Sequence, residues 1–266
     1  MSKVEIKNVS LEYKDSDKSF LALDNVNLKI EEGEFVCIIG SSGCGKSTLI
    51  SLLAGLSFPT KGEVLIDGKQ VVGTGTNRGM VFQHYSLFPW LSAKKNISFG
   101  IKQANLFKEK SLIEERAIEF LKKVGLGDYV DKYPYQLSGG MQQRVAIART
   151  LAMDTEILLL DEPFGAIDPK NRIALQNLTI DLCKNNANRK AVVFVTHDID
   201  EAIILADRII FMEPKRIKEE IKVSFKQGLT REEITRSKQY SEIHMKLMEL
   251  FYYEVGERIG GEEVVL

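Results

Sequence analysis

Nine consecutive residues, Gly40 to Thr48, have the types and spacing needed to bind phosphate. Their sequence, GSSGCGKST, contains the pattern G-x-x-x-x-G-K-[ST]. Its glycines let backbone amides converge on phosphate oxygens, Lys46 supplies an ammonium, and the Ser47 hydroxyl is a ligand for Mg²⁺. A helix that begins near Lys46 adds its positive end. The predicted phosphate contacts are Gly40, Ser41, Ser42, Gly43, Cys44, Gly45, Lys46, Ser47 and Thr48.

A second candidate is the apolar run ILLLDEP, which ends in the carboxylates of Asp161 and Glu162. Asp161 is expected to hold Mg²⁺ directly or through water, as the second-strand aspartate does in P-loop enzymes. Glu162 projects beyond the strand end, where it can polarise an attacking water as a general base. By itself such a strand end is more often a solvated edge. The phosphate loop in the same chain favours the functional interpretation.

The third candidate is LSGGMQQR, Leu137 to Arg144, a polar turn that opens a helix predicted over Met141–Ala152. Gly139 and Gly140 lead this helix, so unsatisfied amides and a positive dipole end face an anion. The phosphate loop already has a helix terminus of its own. A second such terminus therefore predicts a composite site, built by two copies related by a two-fold axis.

Along the chain, apolar segments typical of strands alternate with helical patterns. This alternation predicts an α/β core with a mostly parallel sheet that positions these residues. The apolar run EFVCIIG is typical of a buried parallel strand that feeds a loop and the helix Lys46–Ala54. The predicted strands are 3–13, 34–39, Gly62–Asp67, Gly79–Gln83, Ile157–Asp161, Ala191–Thr196 and Arg208–Met212.

A helical insertion is predicted over about 92–155. Within it Ser111 is a plausible N-cap, with Glu114 completing a capping box. The charged region beyond Pro214 is predicted to carry one more helix, about Arg231 to Phe251.

Composition narrows the class of protein. The 266 residues carry a net charge of -1, so nothing calls for nucleic acid or an anionic lipid surface as a partner. The first ten residues lack the apolar core of a secretory signal, and no apolar run approaches the ~20 residues of a membrane span. Three scattered cysteines suggest reduced thiols of the cytosol.

Taken together, these motifs resemble those of an ABC-type ATPase subunit, and seven elements agree in order and spacing. They are Tyr13, the phosphate loop, Gln83, LSGGMQQR, ILLLDEP, the turn GAID at Gly165–Asp168, and VTHD around His197. The resemblance implies a P-loop NTPase core with a mostly parallel sheet, an N-terminal antiparallel β part and a helical insertion. It also implies an ATPase domain over 1–213, with a helical subdomain at about 92–155, and a C-terminal helical tail over 214–266.

The resemblance further assigns roles to residues that match its motifs. Tyr13 would stack on adenine, Gln83 would contact Mg²⁺ or the lytic water, and Glu162 would be the catalytic base. His197 would contact the γ-phosphate, and Asp168 would lie at the subunit contact. Ser138, Gly139, Gly140 and Gln142 would contact nucleotide bound by the opposite subunit. Structural alternatives stay open: Tyr13 closing a strand, Gln83 at a solvated strand end, His197 as a satisfied structural residue.

The stretch from His84 to Leu91, HYSLFPWL, is dense in aromatic residues. It predicts either core packing of the insertion or a groove that accepts a short helix from a membrane subunit. The LFPW run resembles importer ATPases of the nitrate, sulfonate and taurine group. That resemblance implies a homodimer on the cytoplasmic face of the membrane, membrane permease subunits and, indirectly, an external solute-binding protein. A non-transport ABC ATPase that remodels a soluble complex is the alternative, and a stand-alone P-loop kinase is a remoter one.

Overall fold

The computed structural model describes residues 2–15, 18–83, 86–184, 190–226 and 228–259. The chain divides into two compact units: the first comprises Met1–Gly73 and Val193–Leu266, and the second comprises Thr74–Val192. The strands are β1 (Ser2–Asp15), β2 (Lys18–Glu31), β3 (Phe35–Gly40), β4 (Lys61–Ile66), β5 (Lys69–Gln70), β6 (Arg78–Val81), β7 (Ile157–Asp161), β8 (Ala191–Val195), β9 (Arg208–Glu213) and β10 (Arg216–Lys222). The helices are α1 (Lys46–Ala54), α2 (Ala93–Gln103), α3 (Lys110–Lys123), α4 (Gly139–Ala152), α5 (Pro169–Lys184), α6 (Ile199–Leu205), α7 (Arg231–Arg236) and α8 (Lys238–Ile259).

The first unit contains an antiparallel sheet in the order β2-β1-β4-β5, which confirms the antiparallel β part expected at the N-terminus. The first unit also contains β3, the strand that leads into the phosphate loop, with β9 and then β10 on one side of it. β3 is buried at all six positions, as a parallel strand covered on both faces must be. It pairs in parallel with β9, which places Gly40 beside Met212, and β9 pairs antiparallel with β10.

The second unit brings two predicted site segments together through one pair of strands. β6 and β7 are parallel, and their register sets Val81 beside Leu160. Because the carboxyl ends of parallel neighbours meet at one edge of a sheet, the residues after Val81 and Leu160 emerge together. The α-helices of the predicted insertion are α2, α3 and α4, and Ser92 caps α2 by accepting a hydrogen bond from the Lys95 amide.

Three local predictions were wrong. α3 begins two residues earlier than predicted, with Glu109 and not Ser111 as N-cap, because the Ile113 amide already bonds to the Glu109 carbonyl. Ser111 therefore lies inside the first turn and forms no capping box. The single helix predicted over 231–251 is two helices, since the backbone of Ser237 is extended (φ −75°, ψ 150°).

Beyond Pro214 the chain first forms the strand β10, which sequence reasoning missed. A domain boundary at residue 213 stays a prediction. Among the residues described, no helix has both the length and the apolar character needed to cross a bilayer.

Candidate functional site

The phosphate loop is shaped by glycines that no other residue can replace without strain. A Cβ atom on Gly40 would lie 2.2 Å from the carbonyl oxygen of Met212. Gly45 has φ +115°, and a Cβ there would lie 2.8 Å from the Leu23 side chain. The loop therefore needs these glycines to turn from β3 into α1 in so little space.

The Lys46 ammonium is held inside this loop. Its Nζ donates to the carbonyl oxygens of Gly40 at 2.8 Å and of Ser41 at 2.7 Å, and the residue is only 7% exposed. Gly45 precedes α1 without any side-chain cap, and the first intrahelical hydrogen bond runs from the Leu49 amide to the Gly45 carbonyl. A fixed ammonium beside an uncapped helix start is a donor set that fits a polyphosphate.

His197 lies at the same end of the first unit as the phosphate loop. The Thr196 amide donates to the carbonyl of Ile38 in β3, two residues before Gly40. His197 itself is exposed, and the turn around it is closed by Asp198, whose carboxylate caps α6 by accepting from the Glu201 amide at 3.0 Å. The predicted placement just past a buried strand is thus observed.

Tyr13 lies near the tip of the β1–β2 ribbon, directly opposite Phe20. Directly opposed residues of an antiparallel pair share a face, so the two rings stand on one side of the ribbon. Tyr13 is 45% exposed and Phe20 60% exposed. This surface offers aromatic area for stacking on a base. Phe20 was not singled out from the sequence, since only the strand register identifies it.

In the second unit the two predicted catalytic side chains are in contact. Gln83 Nε2 donates to Glu162 Oε2 at 3.2 Å. The backbone of Glu162 is left-handed, with φ +45°, a conformation that is uncommon for a residue other than glycine and recurs at functional sites. Asp161, one residue earlier, is 7% exposed. β6 ends at Val81, so Gln83 belongs to the segment after the strand and not to the strand itself.

The polar turn LSGGMQQR forms the start of α4. Ser138 is the N-cap, and its hydroxyl accepts from the Met141 amide at 3.3 Å. Gln142 Nε2 donates to the Leu137 carbonyl at 3.1 Å, and a Cβ on Gly140 would lie 3.1 Å from the Ala166 carbonyl oxygen. Gly139 is the first helical residue, so the helix begins two residues before the predicted start at Met141.

Gln143 links α4 to the segment that follows Glu162. It is 1% exposed, and its Nε2 donates to the Pro163 carbonyl at 2.9 Å. Sequence reasoning missed Gln143, because the sequence alone does not show which of two neighbouring polar residues of a helix is buried. This hydrogen bond joins α4 to the backbone beside Glu162, the candidate base.

Asp168 caps α5. Its carboxylate accepts from the Asn171 side-chain amide at 2.7 Å and from the Asn171 backbone amide at 3.1 Å. These hydrogen bonds, with a smaller contribution from the charge of Arg144, lower the pKa of Asp168 below its usual value. The residue thus stays anionic at the exposed end of the GAID turn.

Residues 86–92, which we call the aromatic loop, carry most of the predicted aromatic segment; His84 and Tyr85 lie outside the described residues. The Phe88 ring packs 5.6 Å from Trp90 and 4.7 Å edge-on to Phe99, while Trp90 is 70% exposed. The buried Asn96 fastens this loop. Its side chain bonds to the backbone of Phe88, Leu91 and Ser92.

No group of three or more His, Cys, Asp or Glu side chains is placed to hold a metal ion in the part of the chain that the structure describes. At phosphoryl-transfer sites Mg²⁺ takes most of its ligands from phosphates and water, so it needs few protein ligands.

Comparison with known proteins decides the family. The family model described as ABC transporter matches residues 23–165, more than half of the 266 residues. The chain belongs to the ABC transporter family. It is an ATPase, as the resemblance implied, and the nitrate-type importer group that was predicted is represented among its relatives.

Three relatives illustrate this. An uncharacterized ABC transporter ATP-binding protein of Methanocaldococcus jannaschii is 44% identical, over 95% of this chain and 92% of its own length. The nitrate import ATP-binding protein of Synechocystis is 42% identical, over 83% and 82%. The bicarbonate transport ATP-binding protein of Synechocystis is 41% identical, over 93% and 88%.

A solved structure supports the fold class. A dimeric ATP-binding cassette in a post-hydrolysis state, bound to ADP and Pi, is 39% identical and superposes with a TM-score of 0.77. The match covers 83% of this chain and 99% of that one. The fold is therefore the α/β fold of ABC ATPases.

Proposed function

We propose that two copies of this chain bind two Mg-ATP molecules between them and hydrolyse them. The phosphate loop with Lys46 binds the nucleotide phosphates, and Ser47, Gln83 and Asp161 are the magnesium ligands. Tyr13 stacks on adenine. Ser138, Gly139, Gly140 and Gln142 of one copy contact nucleotide held by the other. The dimeric cassette with bound ADP and Pi supports this arrangement. When bound, Mg²⁺ neutralises phosphate charge during transfer.

The contact between Gln83 and Glu162 carries the catalytic part of the proposal. The amide of Gln83 donates to Glu162 Oε2 and so orients a carboxylate that can accept a proton from water. Glu162 is therefore proposed as the general base, and His197 as the residue that contacts the γ-phosphate and holds the attacking water in line.

The test is Glu162→Gln. Removing a general base is expected to lower turnover by roughly 10²–10⁴-fold. Binding of ATP is expected to persist, because the phosphate loop is untouched. A matched control is Glu156→Gln, at the other end of the same strand, which is expected to hydrolyse ATP normally. Near-normal turnover by Glu162→Gln would remove Glu162 from its role.

The hydrolysis is proposed to drive import of a small solute such as nitrate, a sulfonate, taurine or a similar compound. Similarity to the nitrate and bicarbonate subunits, over most of both chains, supports this. The aromatic loop is the proposed docking surface for a membrane permease, because Trp90 is exposed and its loop is held rigid by Asn96. The dimer would lie on the cytoplasmic face of the membrane, and an external binding protein would deliver the solute.

Affinity purification of the full chain from its own cells tests this transport role. Integral membrane proteins are expected to co-purify, and the Trp90→Ala variant is expected to lose them while it still binds ATP. The matched control is Tyr135→Ala, an exposed aromatic outside the aromatic loop. Co-purification of soluble proteins alone would favour a remodelling ATPase.

A further inference from the structure

The seven-residue helix α6 begins at Ile199, two residues after His197. Residues of the C-terminal segment, the chain after residue 222, contact both ends of this helix. At its first turn, the Tyr240 hydroxyl of α8 donates to Asp200 Oδ1, and His244 Nε2 lies 3.6 Å from the same oxygen. Burial and this hydrogen bond raise the pKa of Tyr240, so the hydroxyl stays protonated and remains a donor. All of these residues belong to the first unit.

The other end of α6 is held by Lys226. Its Nζ donates to the carbonyl oxygens of Ile204, at 3.0 Å, and of Ala206. The last carbonyls of a helix have no intrahelical partner, and a cation there also interacts favourably with the helix dipole. A helix this short has little stability of its own, so its position depends on such tertiary contacts.

The segment that grips α6 is itself anchored on the strands of the first unit. Leu247 of α8 is fully buried, and the Phe251 ring packs edge-on against Phe211 of β9, 5.1 Å away. Lys246 forms an ion pair with Glu219 of β10. Because β9 pairs with β3, α8 is fixed to the same strands that position the phosphate loop.

A chain of hydrogen bonds passes from α6 to the residues flanking His197. Thr196 Oγ1 donates to Glu201 Oε2 at 2.8 Å and accepts from the Asp198 amide at 3.0 Å. The Glu201 amide in turn donates to Asp198 Oδ1. The backbone on both sides of His197 is thus fastened to the first turn of α6, the turn that also carries Asp200.

We propose that Tyr240 and Lys226 are positioning residues for hydrolysis, which act through α6 on the placement of His197. The inference rests on the proposed role of His197 at the γ-phosphate. It assigns a role in hydrolysis to the region after residue 222.

The test is a double-mutant cycle on the full-length protein. Tyr240→Phe removes one hydroxyl, and it is expected to lower kcat about two- to fivefold and to leave the KM for ATP unchanged. Combined with Lys226→Met, the loss is expected to reach about tenfold. In a His197→Ala background, Tyr240→Phe is expected to have no further effect, because the residue through which it acts is gone.

Two controls separate positioning from stability. Tyr252→Phe removes a hydroxyl from an exposed tyrosine of the same helix, and normal kcat is expected. Leu121→Ala removes a fully buried side chain of α3 in the second unit; it is expected to lower the thermal midpoint more than Tyr240→Phe does, with normal kcat below the transition.

The outcomes distinguish a failure of the positioning role from a failure of the proposed role of His197. An unchanged kcat in Tyr240→Phe, or an equal loss in the wild-type and His197→Ala backgrounds, would overturn the positioning role and leave the proposed function standing. An unchanged kcat in His197→Ala would instead contradict the proposed role of His197.

Discussion

The starts of α1 and α4 are both proposed to face phosphate, but they are built differently. α1 follows Gly45, has no side-chain cap and buries the Lys46 ammonium beside its first turn. α4 follows Ser138, whose hydroxyl occupies the Met141 amide, and its first turn contains no basic residue. Neither first turn carries an acidic residue, which would compete for an anion. We therefore expect the start of α1, with its ammonium, to bind nucleotide by itself. The uncharged start of α4 is expected to add contacts only after the nucleotide is bound by the phosphate loop of the other copy.

The largest effect is expected at the charged end. Lys46→Met removes the ammonium that is proposed to bind the phosphates and that donates to the Gly40 and Ser41 carbonyls, so ATP affinity is expected to fall by about 100-fold or more. Calorimetric titration with Mg-ATP measures this. The control Lys170→Met, at an exposed position of α5, is expected to bind normally. Retained affinity in Lys46→Met would show that the loop does not hold the phosphates.

A smaller and different effect is expected at the neutral end. In Gly140→Ala the added Cβ would lie 3.1 Å from the Ala166 carbonyl oxygen, so the start of α4 or the Ala166 backbone must move by a few tenths of an ångström. ATP affinity is expected to stay within about twofold, while kcat falls about tenfold, since the contact is made in the closed state. Gly73→Ala adds a methyl group in open space and serves as control. Equal losses of ATP affinity in Gly140→Ala and Lys46→Met would show that the starts of α1 and α4 do not differ in how they contribute to binding.

Ser138 allows stability and function to be separated at the same end. Ser138→Ala removes the cap and is expected to lower the free energy of unfolding by about 1 kcal/mol. Ser138→Asp restores a cap but places a carboxylate where a phosphate is proposed to bind. Chemical denaturation should therefore show Ser138→Asp as stable as wild type, while its hydrolysis is slower than that of Ser138→Ala. Full activity of the aspartate variant would argue against an anion at this turn.

The smallest effect concerns the start of α5. The folded-state pKa of Asp168 lies below its unfolded value, so its cap stabilises the protein above about pH 4 and is lost as pH falls through the folded-state pKa. Asn171→Ala removes the main cause, and the pKa of Asp168 is expected to rise toward its usual value. NMR titration of the Asp168 carboxyl carbon measures this. An unchanged pKa would show that Asn171 is not the cause.

Local sequence signals predicted the parts of the molecule that depend on short stretches of chain. The strand–loop–helix unit at Gly40 and the glycine-led helix start at α4 follow from glycines and an apolar run, whereas the Ser138 cap on α4 was not predicted. The contact between Gln83 and Glu162 joins residues 79 positions apart, and only the pairing of β6 with β7 reveals it. The hydrogen bonds from Tyr240 and Lys226 to α6 could not be predicted either. They depend on β10, which precedes both residues in the chain and was missed in the sequence.

The most direct test of the central claim is the mass of the Glu162→Gln protein in solution with saturating Mg-ATP. Light scattering is expected to give twice the 30.0 kDa of one chain, and Lys46→Met added to Glu162→Gln is expected to return the mass to that of one chain. A single-chain mass for the Glu162→Gln protein, with ATP binding confirmed in the same sample, would contradict a nucleotide site shared by two copies.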